Sequence, residues 1–335
     1  MRVAVIGAGG WGTALSVLAA RAGREVRLWS RNASVVEDIN ERRVNGAYLE
    51  GHTVPEGVWA TTEPGAALKG TELVVLAAPS HATRALLESM RGLFEPDAVF
   101  VSATKGVEVE TGKRMSEVVA EVLGERARER FACLSGPSFA QEVAAGQPTA
   151  VVASSHDESL ARLVQQALSA QSFRVYTNPD VVGTELGGAT KNVMALAAGM
   201  VSGLGLGANT VSALVTRGLA EMTRLALAEG GRLETLTGLA GLGDLVLTCT
   251  GGLSRNRFVG QELGRGRTLE DVLAGMREVA EGVRTTRAIR LLAARRGVEM
   301  PITEEVHAVL YDGKPARAAV ESLISRPLKE EFEVT

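Results

Sequence analysis

One stretch of sequence decides how the first half of the chain folds: Met1-Arg2-Val3-Ala4-Val5-Ile6-Gly7-Ala8-Gly9-Gly10-Trp11-Gly12-Thr13. Four apolar residues run directly into the pattern G-x-G-x-x-G, and a helix-forming segment follows at once. Gly7 permits a tight turn, Gly9 lets a phosphate approach the backbone, and Gly12 lets the helix pack closely on the strand. The free N–H groups and the positive dipole end of that helix favour a pyrophosphate, so this stretch predicts a dinucleotide-binding turn.

Apolar strands alternate with helical patterns through the rest of the first half. The predicted strands are 2–6, 25–29, 73–78, 98–102, 131–134, 149–153 and 173–176, and helical patterns such as 81–92 and 111–124 separate several of them. Continuous apolar strands separated by helices indicate a mostly parallel sheet with both faces covered. We therefore predict an α/β fold that begins with a Rossmann-like, doubly wound parallel sheet and binds ligands at the carboxyl ends of its strands.

Helical patterns replace strands from about residue 181. The predicted helices are 182–203, 209–229, 233–246, 255–264, 268–275, 283–296, 303–311 and 314–324. Asn178-Pro179-Asp180 combines a turn signal with a helix cap and is the predicted boundary. We expect a dinucleotide-binding domain over 1–180 and an all-α, substrate-binding domain over 181–335.

Composition argues against several classes of function. The 335 residues carry a formal net charge of −3, which does not suit a general binder of nucleic acid or of a membrane surface. Only 4% of residues are aromatic, too few for base-stacking platforms. Cys133 and Cys249 form neither a metal-binding spacing nor a disulfide framework, so we expect no metal and a reducing, cytoplasmic location.

The end of the second strand bears on which cofactor is bound. It reads Leu28-Trp29-Ser30-Arg31, without the carboxylate that commonly binds a ribose 2′-hydroxyl. Arg31 could instead pair with a 2′-phosphate through two N–H groups. This favours NADP, or tolerance of both NADP and NAD. The alternative is an arginine in solvent.

Lys191 lies within Gly183–Ala195, a helical pattern rich in small residues. The residues on its face, among them Gly187 and Gly188, are small or apolar and leave room for a ligand in a dry setting. Desolvation should lower the pKa of Lys191 toward neutrality, so that it can move the hydroxyl proton during hydride transfer. The alternative is an ordinary helix lysine whose amine reaches solvent.

Two further segments carry charges suited to the same chemistry. Lys105 follows a parallel strand, and a second cation near Lys191 would lower its pKa further and polarise a carbonyl oxygen. Asp244, in an apolar surround, needs a cationic partner, for which Lys191 is the candidate. The alternatives are a loop lysine in water and a purely structural ion pair.

A short polar stretch, Ser254-Arg255-Asn256, can open a helix at residue 255. A hydroxyl, a guanidinium, a carboxamide and free N–H groups would then converge on one anion, for which a small phosphate monoester is the natural ligand. The alternative for Ser254 is a helix N-cap.

Together these stretches resemble the NAD(P)-dependent glycerol-3-phosphate dehydrogenases of the bacterial type. The motifs that carry the resemblance are V-I-G-A-G-G-W-G-T at 5–13, A-T-K-G-V at 103–107, L-S-G-P-S-F-A at 134–140, A-T-K-N-V at 189–193, G-L-G-D-L at 241–245 and L-S-R-N-R at 253–257. The resemblance implies interconversion of sn-glycerol 3-phosphate and dihydroxyacetone phosphate, which supplies the phospholipid backbone. It makes Lys191 the base for alcohol oxidation or the acid for ketone reduction, with Lys105 and Asp244 beside it.

The resemblance also implies specific contacts. The substrate would touch Lys105, Gly136, Ser138, Lys191, Asp244, Ser254, Arg255 and Asn256. Besides the three glycines of the turn, the cofactor would touch Gly10, Trp11, Arg31, Tyr48, Lys105, Ala140, Arg255, Val279 and Glu281. Gly10 stands where a serine is common, so only a backbone contact is expected there. A homodimer formed through the helical domain is also implied.

Two other functions remain open at this point. Other two-domain dehydrogenases, of the β-hydroxyacid or 6-phosphogluconate type, also place a lysine on a helix after the nucleotide-binding domain, but the paired A-T-K motifs and Ser254-Arg255-Asn256 argue against them. A cofactor-binding regulator without chemistry is the second alternative. The presence of Lys105, Lys191 and Asp244 together argues against a protein that has lost its catalytic activity.

Overall fold

The computed structural model describes residues 1–276, 280–328 and 330–331. Its strands, numbered in chain order, are β1 (Arg2–Ile6), β2 (Glu25–Trp29), β3 (Val44–Asn45), β4 (Leu49–Thr53), β5 (Val58–Thr61), β6 (Leu73–Leu76), β7 (Val99–Ser102), β8 (Phe131–Ser135), β9 (Thr149–Ser154) and β10 (Phe173–Asn178). The helices before residue 180 are α1 (Gly10–Arg21), α2 (Ala33–Glu37), α3 (Pro64–Leu68), α4 (Ser80–Met90), α5 (Met115–Leu123), α6 (Glu125–Glu129), α7 (Ala140–Ala144) and α8 (Glu158–Leu168).

Eight of these strands form one sheet in the order β10-β9-β8-β7-β6-β1-β2-β5. All pairs in it are parallel except β8 with β9, so β9 and β10 run opposite to the other six strands. Successive residues of β1 point to opposite faces: Val3 belongs to the core under α1 and α8, and Ala4 to the core under α4 and α5. Helices therefore cover both faces, and the predicted mostly parallel α/β fold is confirmed.

The reversal of β9 was not anticipated from the sequence, and it follows from a short connection. Residues 136–148 join β8 to β9 and contain only the five-residue helix α7. Such a helix is about 7.5 Å long, too short to return along a five-residue strand of about 16 Å. The connection therefore stays at the carboxyl edge of the sheet, where it keeps Gly136, Ser138 and Ala140.

A hairpin and an edge strand are also present that the sequence did not reveal. β3 and β4 form a separate two-stranded sheet, and β5 pairs with β2 at the edge of the large sheet. Glu50, Gly51 and Thr53 of β4 are exposed. A strand of this kind carries no apolar run and no strict alternation, so its pattern does not separate it from a loop.

The second half is helical, as predicted. Its helices are α9 (Val181–Gly203), α10 (Ala208–Ala228), α11 (Leu233–Leu236), α12 (Asp244–Thr250), α13 (Arg255–Gly264), α14 (Leu269–Ala274), α15 (Glu281–Arg296), α16 (Pro301–Tyr311) and α17 (Ala316–Ile324). α9 is buried along nearly its whole length, and α10, α12, α13 and α15 pack around it.

The single helix predicted over 233–246 is wrong. α11 ends at Leu236, a π-helical turn covers Leu239–Gly243, and α12 begins at Asp244. Glycine permits this compact break, since a Cβ at Gly241 would overlap the carbonyl group of Leu236. The break makes Asp244 the first residue of a new helix that faces α9.

Glycines bring α13 unusually close to α9. A Cβ at Gly199 would overlap the carbonyl of Arg257, and a Cβ at Gly260 would overlap the carbonyl of Leu196. The two backbones therefore touch at these positions. This contact fixes the N-terminal end of α13 relative to the helix that carries Lys191.

Among the described residues, no single helix has both the length and the hydropathy needed to cross a membrane. The segments Leu233–Thr250 and Arg255–Gly264 reach that limit only when taken together, and a 48° bend separates them.

Candidate active site

The glycine-rich turn between β1 and α1 has the geometry that its sequence predicts. Gly7 has a φ of +116°, and a Cβ there would lie 3.0 Å from the backbone of Ala77. A Cβ at Gly12 would overlap the Gly7 carbonyl, whereas one at Gly9 would meet nothing within 4 Å. Gly7 and Gly12 thus serve the close packing of helix and strand, and the space beside Gly9 is open to a ligand.

The N-terminal end of α1 offers free hydrogen-bond donors. Gly9 precedes the helix without a side-chain cap, and its first turn contains no acidic residue. Within the described residues the N–H groups of positions 9–12 have no acceptor, and the first backbone bond is from Thr13 N to Gly9 O at 2.9 Å. Free donors at a helix N-terminus beside an open glycine suit a pyrophosphate, so the residues present fit an NAD(P) cofactor.

Several other predicted cofactor contacts surround this turn. A Cβ at Gly10 would lie 2.7 Å from the Tyr48 carbonyl oxygen and 3.8 Å from the Ala140 methyl group. The Trp11 ring centroid lies 6.0 Å from Lys105 Nζ. Residues that are far apart in the chain thus meet at one edge of the sheet.

Three further predicted cofactor contacts are Arg31, Val279 and Glu281. Arg31 is exposed just beyond β2. Burial and the charge of Arg284 lower the pKa of His81 against the attraction of Glu110, and the nearby charge of Arg31 adds to the lowering. Glu281 begins α15 and accepts a hydrogen bond from Ser80 N at 3.3 Å. Desolvation raises the pKa of the Glu281 carboxyl, opposed by that bond and by the charge of Arg255. Val279 lies outside the described residues.

A buried carboxylate holds the two predicted lysines together. Lys191 Nζ donates to Asp244 Oδ1 at 2.9 Å and to Thr248 Oγ1 at 2.8 Å. Lys105 Nζ donates to the other oxygen, Asp244 Oδ2, at 2.8 Å. Asp244 is only 1% exposed and Lys191 is buried, so the predicted contact between them is present and buried, with the half-buried Lys105 on the other side of the carboxylate.

The electrostatics of this cluster favour a titratable amine. Burial lowers the pKa of Lys191 to about 8, and the charge of Lys105 acts in the same direction against the attraction of Asp244. Burial acts to raise the pKa of Asp244, but the charges of Lys105 and Lys191 outweigh it and hold that pKa below its usual range. Asp244 is therefore an anion at neutral pH, and the pKa of Lys191 is shifted toward neutrality, the direction that the sequence predicted.

The two glycines beside Lys191 do not leave room for a ligand, and that part of the expectation is wrong. A Cβ at Gly187 would lie 2.7 Å from the Ala240 carbonyl oxygen, and one at Gly188 would lie 2.9 Å from Ser135 Oγ. Protein atoms occupy the space that these glycines leave open. Their effect is to let the π-helical turn before Asp244 and the end of β8 approach Lys191.

Lys105 also binds the connection after β8. Its Nζ donates to the Gly136 carbonyl at 2.8 Å and lies 3.4 Å from Ser138 Oγ. Gly136 has a φ of +139°, and a Cβ there would lie 2.9 Å from Val151 Cα, so only glycine fits. The predicted contacts Gly136 and Ser138 thus lie beside the lysine–aspartate cluster.

The start of α13 differs in part from the expected convergence on one anion. Ser254 Oγ accepts from Arg257 N at 3.2 Å, so Ser254 is the N-cap of the helix, as the alternative had it. Asn256 Nδ2 donates to Asn192 Oδ1, and Asn256 Oδ1 accepts from Gly282 N, both at 2.9 Å. The Ser254 hydroxyl hydrogen and one Asn256 amide hydrogen have no acceptor within the part of the chain that the structure describes.

Two residues of the site were missed in the sequence. Thr248 lies one turn after Asp244, accepts from Lys191, and donates to the Asp244 carbonyl oxygen at 2.6 Å. Asn192 follows Lys191 and donates to the Lys105 carbonyl at 3.0 Å. The i, i+4 spacing of Asp244 and Thr248 was the only signal available for the threonine.

Comparison with known proteins decides the family. A family model described as the N-terminus of NAD-dependent glycerol-3-phosphate dehydrogenase matches residues 2–161, and the model of its C-terminus matches residues 180–321. The glycerol-3-phosphate dehydrogenase [NAD(P)+] of Koribacter versatilis is 58% identical over 97% of both chains. The protein of the same name from Geobacter sulfurreducens is 53% identical over 98% of both chains. The chain belongs to the NAD-dependent glycerol-3-phosphate dehydrogenase family.

Solved structures agree with this membership of the glycerol-3-phosphate dehydrogenases. The glycerol-3-phosphate dehydrogenase of Coxiella burnetii superposes with a TM-score of 0.92 at 40% identity, over 97% of this chain and 99% of that one. A D-mandelate dehydrogenase bound to NADH is similar at a TM-score of 0.63 but only 14% identical, which shows the fold alone. The resemblance drawn from the motifs is confirmed, and the alternative dehydrogenase classes are not supported.

Proposed function

We propose that this protein is an NAD(P)-dependent oxidoreductase that interconverts sn-glycerol 3-phosphate and dihydroxyacetone phosphate. The observation that carries the mechanism is the Lys191 amine, held between Asp244 Oδ1 and Thr248 Oγ1 at the edge of the sheet where the glycine-rich turn lies. The physiological role that follows is the supply of glycerol 3-phosphate for phospholipid synthesis. The location we propose is the cytoplasm, which suits two free cysteines.

In this proposal Lys191 moves the hydroxyl proton. A nicotinamide cofactor, when bound, would supply or accept the hydride. Neutral Lys191 takes the proton of the alcohol during oxidation, and the Lys191 ammonium gives a proton to the developing alkoxide during ketone reduction. A pKa of about 8 keeps both forms populated near neutral pH. Asp244 orients the amine, and the Lys105 ammonium polarises the substrate oxygen.

The substrate's phosphate is assigned to the start of α13. Among the residues that the structure describes, Ser254 and Asn256 each retain one donor hydrogen without an acceptor, and Arg255 adds a guanidinium at the N-terminal end of a ten-residue helix. Such donors suit a dianionic phosphate. Gly136 and Ser138, beside Lys105, are assigned to the rest of the substrate. We assign substrate binding to residues 181–335, completed by these residues of the first half.

The cofactor is assigned to residues 1–180, with α15 closing the site from the second half. The donors of positions 9–12, in the turn shaped by Gly7 and Gly12, would hold its pyrophosphate. Trp11, Tyr48, Ala140 and Lys105 border that turn, and we assign Arg255, Val279 and Glu281 to the remaining contacts. Arg31, just beyond β2, is assigned to a ribose 2′-phosphate, which makes NADP the favoured cofactor and NAD an accepted one.

Arg31→Ala tests the cofactor assignment. Removing a guanidinium that binds a phosphate through charged hydrogen bonds should raise the Kd of NADPH about tenfold. The Kd of NADH should change less than twofold, because NADH has no 2′-phosphate. Isothermal titration of both cofactors measures the two effects, and Arg42→Ala, which removes another exposed arginine, is the matched control. Equal losses for NADPH and NADH would contradict the assignment.

We also propose a homodimer formed through the helical half. Large apolar side chains are exposed in the segment from the end of α10 to α13: Leu227, Leu233, Leu242, Val246, Leu253 and Phe258. Exposed apolar groups of this size suit a protein–protein contact. Light scattering in solution measures the mass of the particle, and we expect twice the chain mass of 35.2 kDa. A mass equal to that of one chain would contradict the proposal.

The activity itself is tested by the loss of reduced-nicotinamide absorbance. NADPH and NADH are each mixed with the protein and dihydroxyacetone phosphate, and in parallel with a 3-oxo acid as substrate of the alternative class. We expect oxidation of the cofactor only with the phosphorylated ketone, and faster with NADPH. Folded protein that oxidises neither cofactor with dihydroxyacetone phosphate would overturn the proposed function.

A further inference from the structure

The β3–β4 hairpin lies over the glycine-rich turn, outside the main sheet. It is fastened at its far end, where His52 Nε2 and Gln141 Oε1 lie 2.6 Å apart. At its near end the side chain of Asn45, only 1% exposed, reaches the turn itself. A buried carboxamide in a two-residue strand needs all of its hydrogen-bond partners within the protein.

Asn45 uses both amide hydrogens on the turn. Its Nδ2 donates to the Ala8 carbonyl at 2.9 Å and to Thr13 Oγ1 at 2.7 Å. The Thr13 hydroxyl in turn donates toward the same Ala8 carbonyl at 3.4 Å. Only a side chain with two donors on one atom can make this pair of contacts, so aspartate or alanine could not replace it.

The bond to the Ala8 carbonyl sets the direction of the next N–H group. The peptide between Ala8 and Gly9 is trans, so its C=O and N–H point in opposite directions. Because the carbonyl is held toward the hairpin, the Gly9 N–H points away from it. This N–H is one of the donors at positions 9–12 that have no acceptor among the described residues.

The same side chain also positions the loop that rests on Gly10. Asn45 Oδ1 accepts from Tyr48 N at 3.2 Å, and this bond reinforces the backbone bond from Tyr48 N to Asn45 O at 3.3 Å that closes residues 45–48 into a tight turn. The Tyr48 carbonyl then lies 2.7 Å from where a Cβ of Gly10 would be. One carboxamide therefore contacts both the peptide that faces the open space and the loop that borders it.

We propose that Asn45 is a positioning residue for the cofactor: it orients the glycine-rich turn so that the Gly9 N–H meets the pyrophosphate. The proposal rests on the proposed NAD(P) function. Asn45 does not touch the reacting atoms, so its loss should weaken cofactor binding and leave the chemical step intact. The value of kcat at saturating cofactor distinguishes this role from that of Lys191, because only the loss of Lys191 should lower it.

The test compares Asn45→Ala with Asn40→Ala. Asn40 is a matched control, because its carboxamide also makes two bonds in this part of the chain, both to the Ala60 backbone at 2.9 Å and neither to the turn. For each variant the Kd of NADPH is measured by calorimetry without substrate, together with kcat at saturating NADPH and the KM of dihydroxyacetone phosphate.

We expect Asn45→Ala to raise the Kd of NADPH about tenfold, with kcat and the substrate KM within twofold of the parent protein. Asn40→Ala should lower the melting temperature without changing that Kd. Equal Kd values for Asn45→Ala and the parent, or equal losses in both variants, would overturn the proposal.

Two other outcomes need their own interpretation: a variant that does not fold, and a parent protein that binds no cofactor. If Asn45→Ala does not fold, Thr13→Val removes one of its two acceptors with little change in shape. A rise of about threefold in the Kd of NADPH then supports the proposal, and an unchanged Kd overturns it. If the parent protein binds neither NADPH nor NADH, the proposed function itself has failed.

Discussion

Lys191→Ala is expected to lower turnover about a thousandfold, because the substrate's hydroxyl proton then has no positioned acid or base. The Kd of NADPH should remain within about threefold, since the amine bonds to Asp244 and Thr248 and not to the glycine-rich turn. Stopped-flow measurement of the chemical step, alongside calorimetry for the cofactor, gives both quantities. Lys113→Ala, which removes an exposed lysine that pairs with Glu121, is the matched control and should keep full activity.

Lys191→Arg distinguishes proton transfer from charge. Arginine keeps a cation beside Asp244 but does not release a proton at any working pH. It should therefore be about as inactive as the alanine variant. Activity within tenfold of the parent protein in either variant would contradict a proton-transfer role for Lys191.

Asp244→Asn is expected to have the second-largest effect. It leaves two buried or half-buried ammonium groups, on Lys105 and Lys191, without the carboxylate that each of them now binds. Removing one partner of a buried ion pair typically costs about 3 kcal/mol or more in the free energy of unfolding. Loss of the attraction also lowers the pKa of Lys191 further, so less of the acid form is present at neutral pH.

Denaturant unfolding and the rate of ketone reduction at pH 7 measure these effects. The rate should fall about a hundredfold, because the amine is both misplaced and deprotonated. Asp97→Asn, at an exposed ion pair with Arg126, is the control and should change stability by less than about 1 kcal/mol. An Asp244→Asn protein with the stability and rate of the control would show that the cluster does not hold Lys191 in place.

The local sequence was sufficient to predict the structure where the interacting residues all lie in one segment. β1, the three glycines and α1 are contiguous, and each glycine serves the steric purpose that its spacing predicts. The contact between Lys191 and Asp244 also followed from a simple rule, that a buried carboxylate needs a cation. Charge complementarity identified the partners even though 53 residues separate them.

Tertiary packing decided what the sequence did not reveal. The β3–β4 hairpin has no apolar alternation, so nothing local marks Asn45 as a buried contact of the turn. Gly187 and Gly188 look like space for a ligand in the sequence, but the Ala240 carbonyl and the Ser135 side chain fill that space. The π-helical turn before Asp244 likewise depends on close tertiary contacts, which cannot be predicted from the periodicity of apolar residues along a helix.

The pH dependence of kcat/KM in both reaction directions tests the central claim most directly. Ketone reduction needs the Lys191 ammonium, so its rate should fall as the pH rises through about 8; alcohol oxidation needs the neutral amine, so its rate should fall as the pH drops through the same value. Opposite limbs that share one pKa near 8 are the predicted result. Rates that fall on the same side of neutrality in both directions, or that do not change between pH 7 and 9, would contradict the assignment of Lys191 as the proton donor and acceptor.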